Sequence, residues 1–192
     1  MSPAVAAPTM RERVVAAAAE LTLEEGWAGL TMSRLADRVG VSRQTVYNGV
    51  GSKPQLAEEM VLAELATFLT VVETAFDHNP TDLVAAIRAA AQGVLELAEH
   101  NALLQAVVSG SYGAATELLP LLTSRNDALV LTATDAVRRR VAAYRPGLDE
   151  PRLGAVIDMV VRLLLSHVVH PTAPPAATAD GIAWITGRTL GA

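Results

Sequence analysis

The chain contains no cysteine, which excludes a disulfide framework, a cysteine-based zinc site and a thiol nucleophile. Aromatic residues make up only 4% of it while 51% is hydrophobic, so the apolar content is mainly Ala, Val and Leu. Ala and Leu are strong helix formers and strands favour aromatic and β-branched residues, so the balance points to helices. No apolar run reaches the roughly 18 residues of a membrane span; the richest window, 156–169, is interrupted by Asp158, Arg162 and His167. The first residues, MSPAVAAPTMRER, lack the apolar core of a signal peptide. The expectation is a soluble, cytoplasmic protein with no membrane partner. A net charge of -5 argues against a general nucleic-acid coat, so any DNA contact must come from a local patch.

Catalytic and cofactor signatures are also missing. There is neither a phosphate-cradling G-x-x-x-x-G-K-[ST] loop nor a G-x-G-x-x-G after a strand. Ser111 lacks the Gly two residues earlier that a G-x-S-x-G elbow requires. His167 and His170 could share a helix face, but no carboxylate completes a metal site. No enzyme activity, metal or other cofactor is expected.

What stands out is residues 31–53, TMSRLADRVGVSRQTVYNGVGSK, where Arg34, Arg38, Arg43 and Lys53 face a single acid, Asp37. Thr31 or Ser33 can cap a helix that turns Met32, Leu35, Ala36 and Val39 inward. Gly40 supplies the positive φ that ends it, and Ser42 caps a second short helix with Val46 inside. Two helices joined by a Gly-containing turn form the unit that lays its second helix in the major groove. An ordinary helical hairpin is the plainer alternative, but it leaves the exposed Arg and Gln pattern unexplained.

The segments Gly26-Trp27-Ala28-Gly29-Leu30-Thr31-Met32-Ser33-Arg34-Leu35-Ala36, Val39-Gly40-Val41-Ser42-Arg43-Gln44-Thr45-Val46-Tyr47 and Ser52-Lys53-Pro54-Gln55-Leu56 resemble the N-terminal domain of the TetR family, without a gap. The resemblance implies an all-α protein of about nine helices. A three-helix DNA-binding domain with a helix-turn-helix would be followed by a helical ligand-binding and dimerisation domain, in a homodimer that represses transcription. Mapped on the chain, this gives a disordered tail at 1–8, a DNA-binding domain at 9–52 and a ligand-binding and dimerisation domain at 53–192.

Tyr47 and Lys53 are the expected phosphate contacts and Arg43, Gln44 and Thr45 the expected base readers, since Arg suits guanine and Gln adenine. Thr31, Ser33, Ser42 and Asn48 complete the set that would face double-stranded operator DNA. The sequence departs from the family in the stretch Asn48, Gly49, Val50 and Gly51, where a polar or aromatic residue and then Phe are common. Val50 fills less volume than Phe, which predicts a looser seat for the recognition helix. A helical small-molecule or lipid-binding protein with weakened DNA affinity is the alternative that follows.

Capping boxes at Thr9-x-x-Glu12 and Ser52-x-x-Gln55 predict two helix starts. The first helix should stop at Gly26, with Trp27 and Leu30 in a connector filling the core beneath it. The second start opens a long helix to about Phe76, which by resemblance joins the two domains and sets the spacing of the recognition helices. Further helices are expected at 83–99, 101–108, 118–143 and 153–169. After a Pro/Ala linker at 171–177, a last one should turn Ile182, Ile185 and Trp184 inward. Helices rich in Ala and Val leave space for a small hydrophobic effector, with walls from 65–72, 95–108, 118–131 and 156–165. The named candidates are Phe68, Leu104, Gln105, Val108, Tyr112, Leu122, Asn126 and Arg162. The helix after Pro151 is apolar on more than one side, so it should be buried twice. By resemblance its second face, with the last helix, forms the dimer interface through Val156, Val160, Leu164, His167, Ile182 and Ile185.

Overall fold

The reciprocal cap predicted at the first helix is present in the computed structural model: the Thr9 hydroxyl accepts from the Glu12 N–H at 3.2 Å and Glu12 Oε2 accepts from the Thr9 N–H at 2.7 Å. The structure describes residues 7–108 and 127–191, and the elements among them are nine helices and no strand. The fold is all-α.

Helix α1 spans Met10–Gly29, α2 Met32–Val39, α3 Arg43–Val50 and α4 Lys53–His78. They are followed by α5 (Leu83–His100), α6 (Ala102–Val108), α7 (Asp127–Ala142), α8 (Glu150–Val169) and α9 (Pro175–Leu190). The described residues form two compact units, one from 7–64 and 102–108, the other from 65–101 and 127–191.

In the first unit, Gly26 interrupts α1 at φ 76, ψ 160, a backbone region open essentially to glycine alone. The helix resumes to Gly29, so Trp27 lies in the last turn of a broken helix where a connector was expected. That break drops Trp27 and Leu30, each 1% exposed, into the core beside Val14, Ala18 and Leu21. Leu35 from α2, Val46 from α3, Leu56 and Met60 from α4 and Leu103 from α6 close the same cluster. Val50 belongs to it too at 4% exposure.

In the second unit, α5 and α9 pack along each other, joined by an Arg88–Asp180 ion pair at 2.5 Å, and α8 packs against α5, α7 and α9. Gly93 lets α5 approach α4 closely; a Cβ there would lie 2.7 Å from Val71 Cγ1. The C-terminal end of α4 is held by Arg140 pairing with Asp77 and by the Tyr144 hydroxyl, which donates to the Asn79 carbonyl at 2.6 Å. The Tyr144 ring meets Phe76 edge-on at 5.9 Å. Arg138 pairs with Glu150 across the turn between α7 and α8.

The last helix differs from expectation at both its start and its face. It opens at Pro175, inside the expected linker, because Pro fits the first helical turn, where its missing N–H costs nothing. Ile182 is buried, but Trp184 and Ile185 are 65% and 49% exposed. The inward stripe is Thr178, Ala179, Ile182, Ala183, Thr186 and Leu190, an i, i+4 row that leaves 184 and 185 on the other side.

Candidate functional site

Three local devices aim α3. The Thr31 hydroxyl caps α2 by accepting from the Arg34 N–H at 3.3 Å, and Gly40 ends α2 in the left-handed region at φ 76, ψ 37. The Ser42 hydroxyl then caps α3 through the Thr45 N–H at 3.1 Å. Val46 and Val50, four residues apart, anchor one side of α3 in the core. The opposite side therefore carries Arg43, Gln44, Tyr47 and Asn48, all exposed, with Thr45 and Gly49 half-buried at its edges.

The charges around this surface are unevenly committed. Arg38 is gripped by both carboxylate oxygens of Glu24 at 2.5 and 3.1 Å, with Glu20 at 3.6 Å. That hydrogen-bonded pairing holds the Glu24 carboxyl below the usual range and raises the Arg38 guanidinium. Arg34 pairs with Glu25. Among the described residues the Arg43 side chain has neither a hydrogen bond nor an ion pair, and the Tyr47 side chain is equally unengaged, the residue being 42% exposed. Of the cations in residues 31–53, Arg43 is the one left without a partner.

The other expected contacts are partly occupied. Gln44 Nε2 donates to Asn48 Oδ1 at 2.9 Å, and the hydroxyls of Ser42 and Thr45 are 2.9 Å apart. Ser33 is half-buried. Lys53 points inward: its ammonium donates to the Trp27 carbonyl at 2.7 Å and lies 4.7 Å from the centroid of the Trp27 ring. Sequence alone gave no signal for this tie, which joins residues far apart in the chain.

The second unit contains a cavity of about 60 Å³. Val72 and Phe76 of α4, Ile87 and Ala91 of α5, Val161 of α8 and Ile182 of α9 are among its walls. Among the described residues the one polar side chain in the lining is Thr186, whose hydroxyl donates to the Ile182 carbonyl at 2.6 Å. With that hydrogen spent, no lining side chain among the described residues is left to donate to a polar head group, and the site suits an apolar guest.

Of the residues expected to form a ligand pocket, Phe68, Leu104, Gln105 and Arg162 do not line this cavity. Phe68 is half-buried elsewhere on α4, and Leu104 and Gln105 belong to the first unit. Arg162 faces solvent, bonded to Asp158 one turn back on α8 at 2.9 Å. Val108 is the last residue of α6, and Tyr112, Leu122 and Asn126 lie outside the described residues. Conversely, Val156, Val160, Leu164 and Ile182, expected at a dimer interface, contribute to the cavity wall. His167 is half-buried with Nδ1 2.9 Å from the Leu163 carbonyl, and Ile185 is exposed.

Residues 14–60 match the family model described as bacterial regulatory proteins, tetR family, and residues 82–188, more than half of the chain, match the model of the bacterial tetracyclin repressor C-terminal domain. The chain belongs to the TetR family. It is a TetR-family transcriptional regulator, with the helix-turn-helix in α2 and α3 and a helical C-terminal domain. Among relatives, it is 27% identical over 172 residues to the HTH-type transcriptional regulator AlkX of Mycobacterium tuberculosis, covering 89% of this chain and 79% of that protein. Its fold matches the TetR family repressor AlkX of a Dietzia strain, with a TM-score of 0.78 at 23% identity and coverage of 95% and 96% of the two chains. The repressor QsdR of R. erythropolis has a TM-score of 0.63 at 18% identity, covering 94% of each chain.

Proposed function

We propose that this regulator is a repressor that binds a palindromic operator as a homodimer and is released by a small apolar ligand. The observation that carries the reading is the outer face of α3, where Arg43 and Tyr47 stand exposed and unengaged while Arg34 and Arg38 are neutralised by α1. Arg43 and Gln44 then read base edges, with Thr45 and Asn48 beside them, and Tyr47 contacts phosphate. Thr31, Ser33 and Ser42 add contacts at the starts of α2 and α3. Residues 9–52 serve as the reading head and 53–192 as the ligand-binding and dimerisation part.

Two copies pair through the exposed apolar side chains of α8 and α9, among them Met159 and Ile185 at 68% and 49% exposure. They set two recognition helices about one DNA turn apart, roughly 34–36 Å. An apolar ligand in the second unit touches Val72 and Phe76 of α4, the helix that starts at Lys53 just after α3. A ligand that favours a conformer with another spacing draws the population off DNA by its differential affinity. The Dietzia AlkX is implicated in biodegradation of n-alkanes, and the lining here suits a guest of that chemistry. The protein acts in the cytoplasm, without catalysis or a cofactor.

The test is release from DNA. An n-alkane and the fatty acid of equal chain length are titrated into the complex of the protein with the DNA upstream of its own gene. Release by the hydrocarbon supports the reading. Release by the acid alone would place the effector outside this cavity, because an ionised head group buried without a partner is strongly disfavoured.

A further inference from the structure

The first residue of α4 is a lysine, a cation at the positive end of a helix, where the backbone dipole disfavours it. In the same core, the Trp27 carbonyl lies just past the Gly26 break of α1 and accepts from the Leu30 N–H at 3.3 Å. The two anomalies meet. Lys53 Nζ donates to the Trp27 carbonyl at 2.7 Å and sits 4.7 Å from the Trp27 ring centroid, within the range in which a cation is attracted by an aromatic face. Trp27 is 1% exposed and Lys53 half-buried, so the charge is partly withdrawn from water on partners that match it.

We propose that Lys53 is a positioning residue, a latch fixing the start of α4 to the broken end of α1, and not a contact to the DNA phosphate. The chain between these points, residues 28–52, holds α2 and α3. Closing that loop at its ends sets the angle at which α3 leaves the core.

The inference uses the DNA-binding reading for one arm of its test only. The probe is Trp27 emission in a Trp184→Phe background, which removes the exposed second tryptophan. Lys53→Met keeps the length of the side chain and removes the charge. The latch predicts that Lys53→Met shifts Trp27 emission without any DNA present. It also predicts weaker binding to the duplex upstream of the gene with the slope of log affinity against log salt unchanged, whereas a lost phosphate contact lowers that slope by about 0.9. A slope reduced by that amount overturns the proposal whatever the emission does, and so does unchanged emission. If Lys53→Met is too unstable to titrate, the Trp184→Phe protein with Lys53 intact decides: Trp27 emission stays constant when duplex is added if the latch holds, and changes if Lys53 leaves for a phosphate. The DNA-free emission still judges the latch if the unaltered protein binds no duplex.

Discussion

The apolar cavity in the second unit makes a quantitative demand on stability. Cavity cost scales at about 24 cal/mol per Å³, so about 60 Å³ of empty space forfeits at most about 1.4 kcal/mol. Val161 is 6% exposed and lies on the wall. Val161→Ile adds one methylene, worth about 0.8 kcal/mol if it lands in unoccupied space, below the ceiling set by the cavity. The variant should therefore unfold at higher urea, with an unchanged m-value and a gain near 0.8 kcal/mol. Protein concentration must be held fixed, because the stability of a dimer depends on it. The same methylene occupies the ligand's space, so release from DNA by an n-alkane should need more ligand. A loss of about 1 kcal/mol or more would refute the reasoning, since overpacking of a wall already in contact costs about that much.

Three further outcomes follow from the geometry. Gly26→Ala forces a side chain into a glycine-only backbone region and should destabilise the protein by about 1–3 kcal/mol in urea unfolding. The Glu24 carboxyl is held below its ordinary value of 4.5 by Arg38, so its contribution is present above pH 4.5 and lost as pH falls through the lower folded value. Melting temperatures of the unaltered protein and Glu24→Gln should thus differ near neutrality and converge on acidification. Ile185→Glu places a charge on an exposed apolar face without disturbing the core, so sedimentation should show dimers giving way to monomers while the helical circular dichroism stays intact.

What could be read from the sequence was local. The Thr9–Glu12 box, the Gly40 turn and the Ser42 cap each involve residues three or four apart, where side-chain reach and backbone preference fix the outcome. Val46 and Val50 follow from the same periodicity. The rest depended on partners distant in the chain. Trp184 and Ile182 are both apolar, and only the packing of α9 on α5 decides which one is covered. Val72 and Phe76 are visibly apolar in the sequence, but a gap among buried residues is a matter of how several helices fit, which no single helix encodes. Lys53 reads as an exposed cation until the Gly26 break brings the Trp27 carbonyl to it. Pro175 reads as linker until its position at a helix start is known.

The central claim is that α3 reads DNA. Fluorescence anisotropy with the duplex upstream of the gene and a scrambled duplex, across a salt series, tests it for the unaltered protein beside Arg43→Ala. The account predicts at least about a tenfold preference for the native duplex with a steep salt slope. It also predicts that Arg43→Ala loses about 1–3 kcal/mol of discrimination at one base pair. Equal, weak binding of both duplexes by both proteins would contradict it.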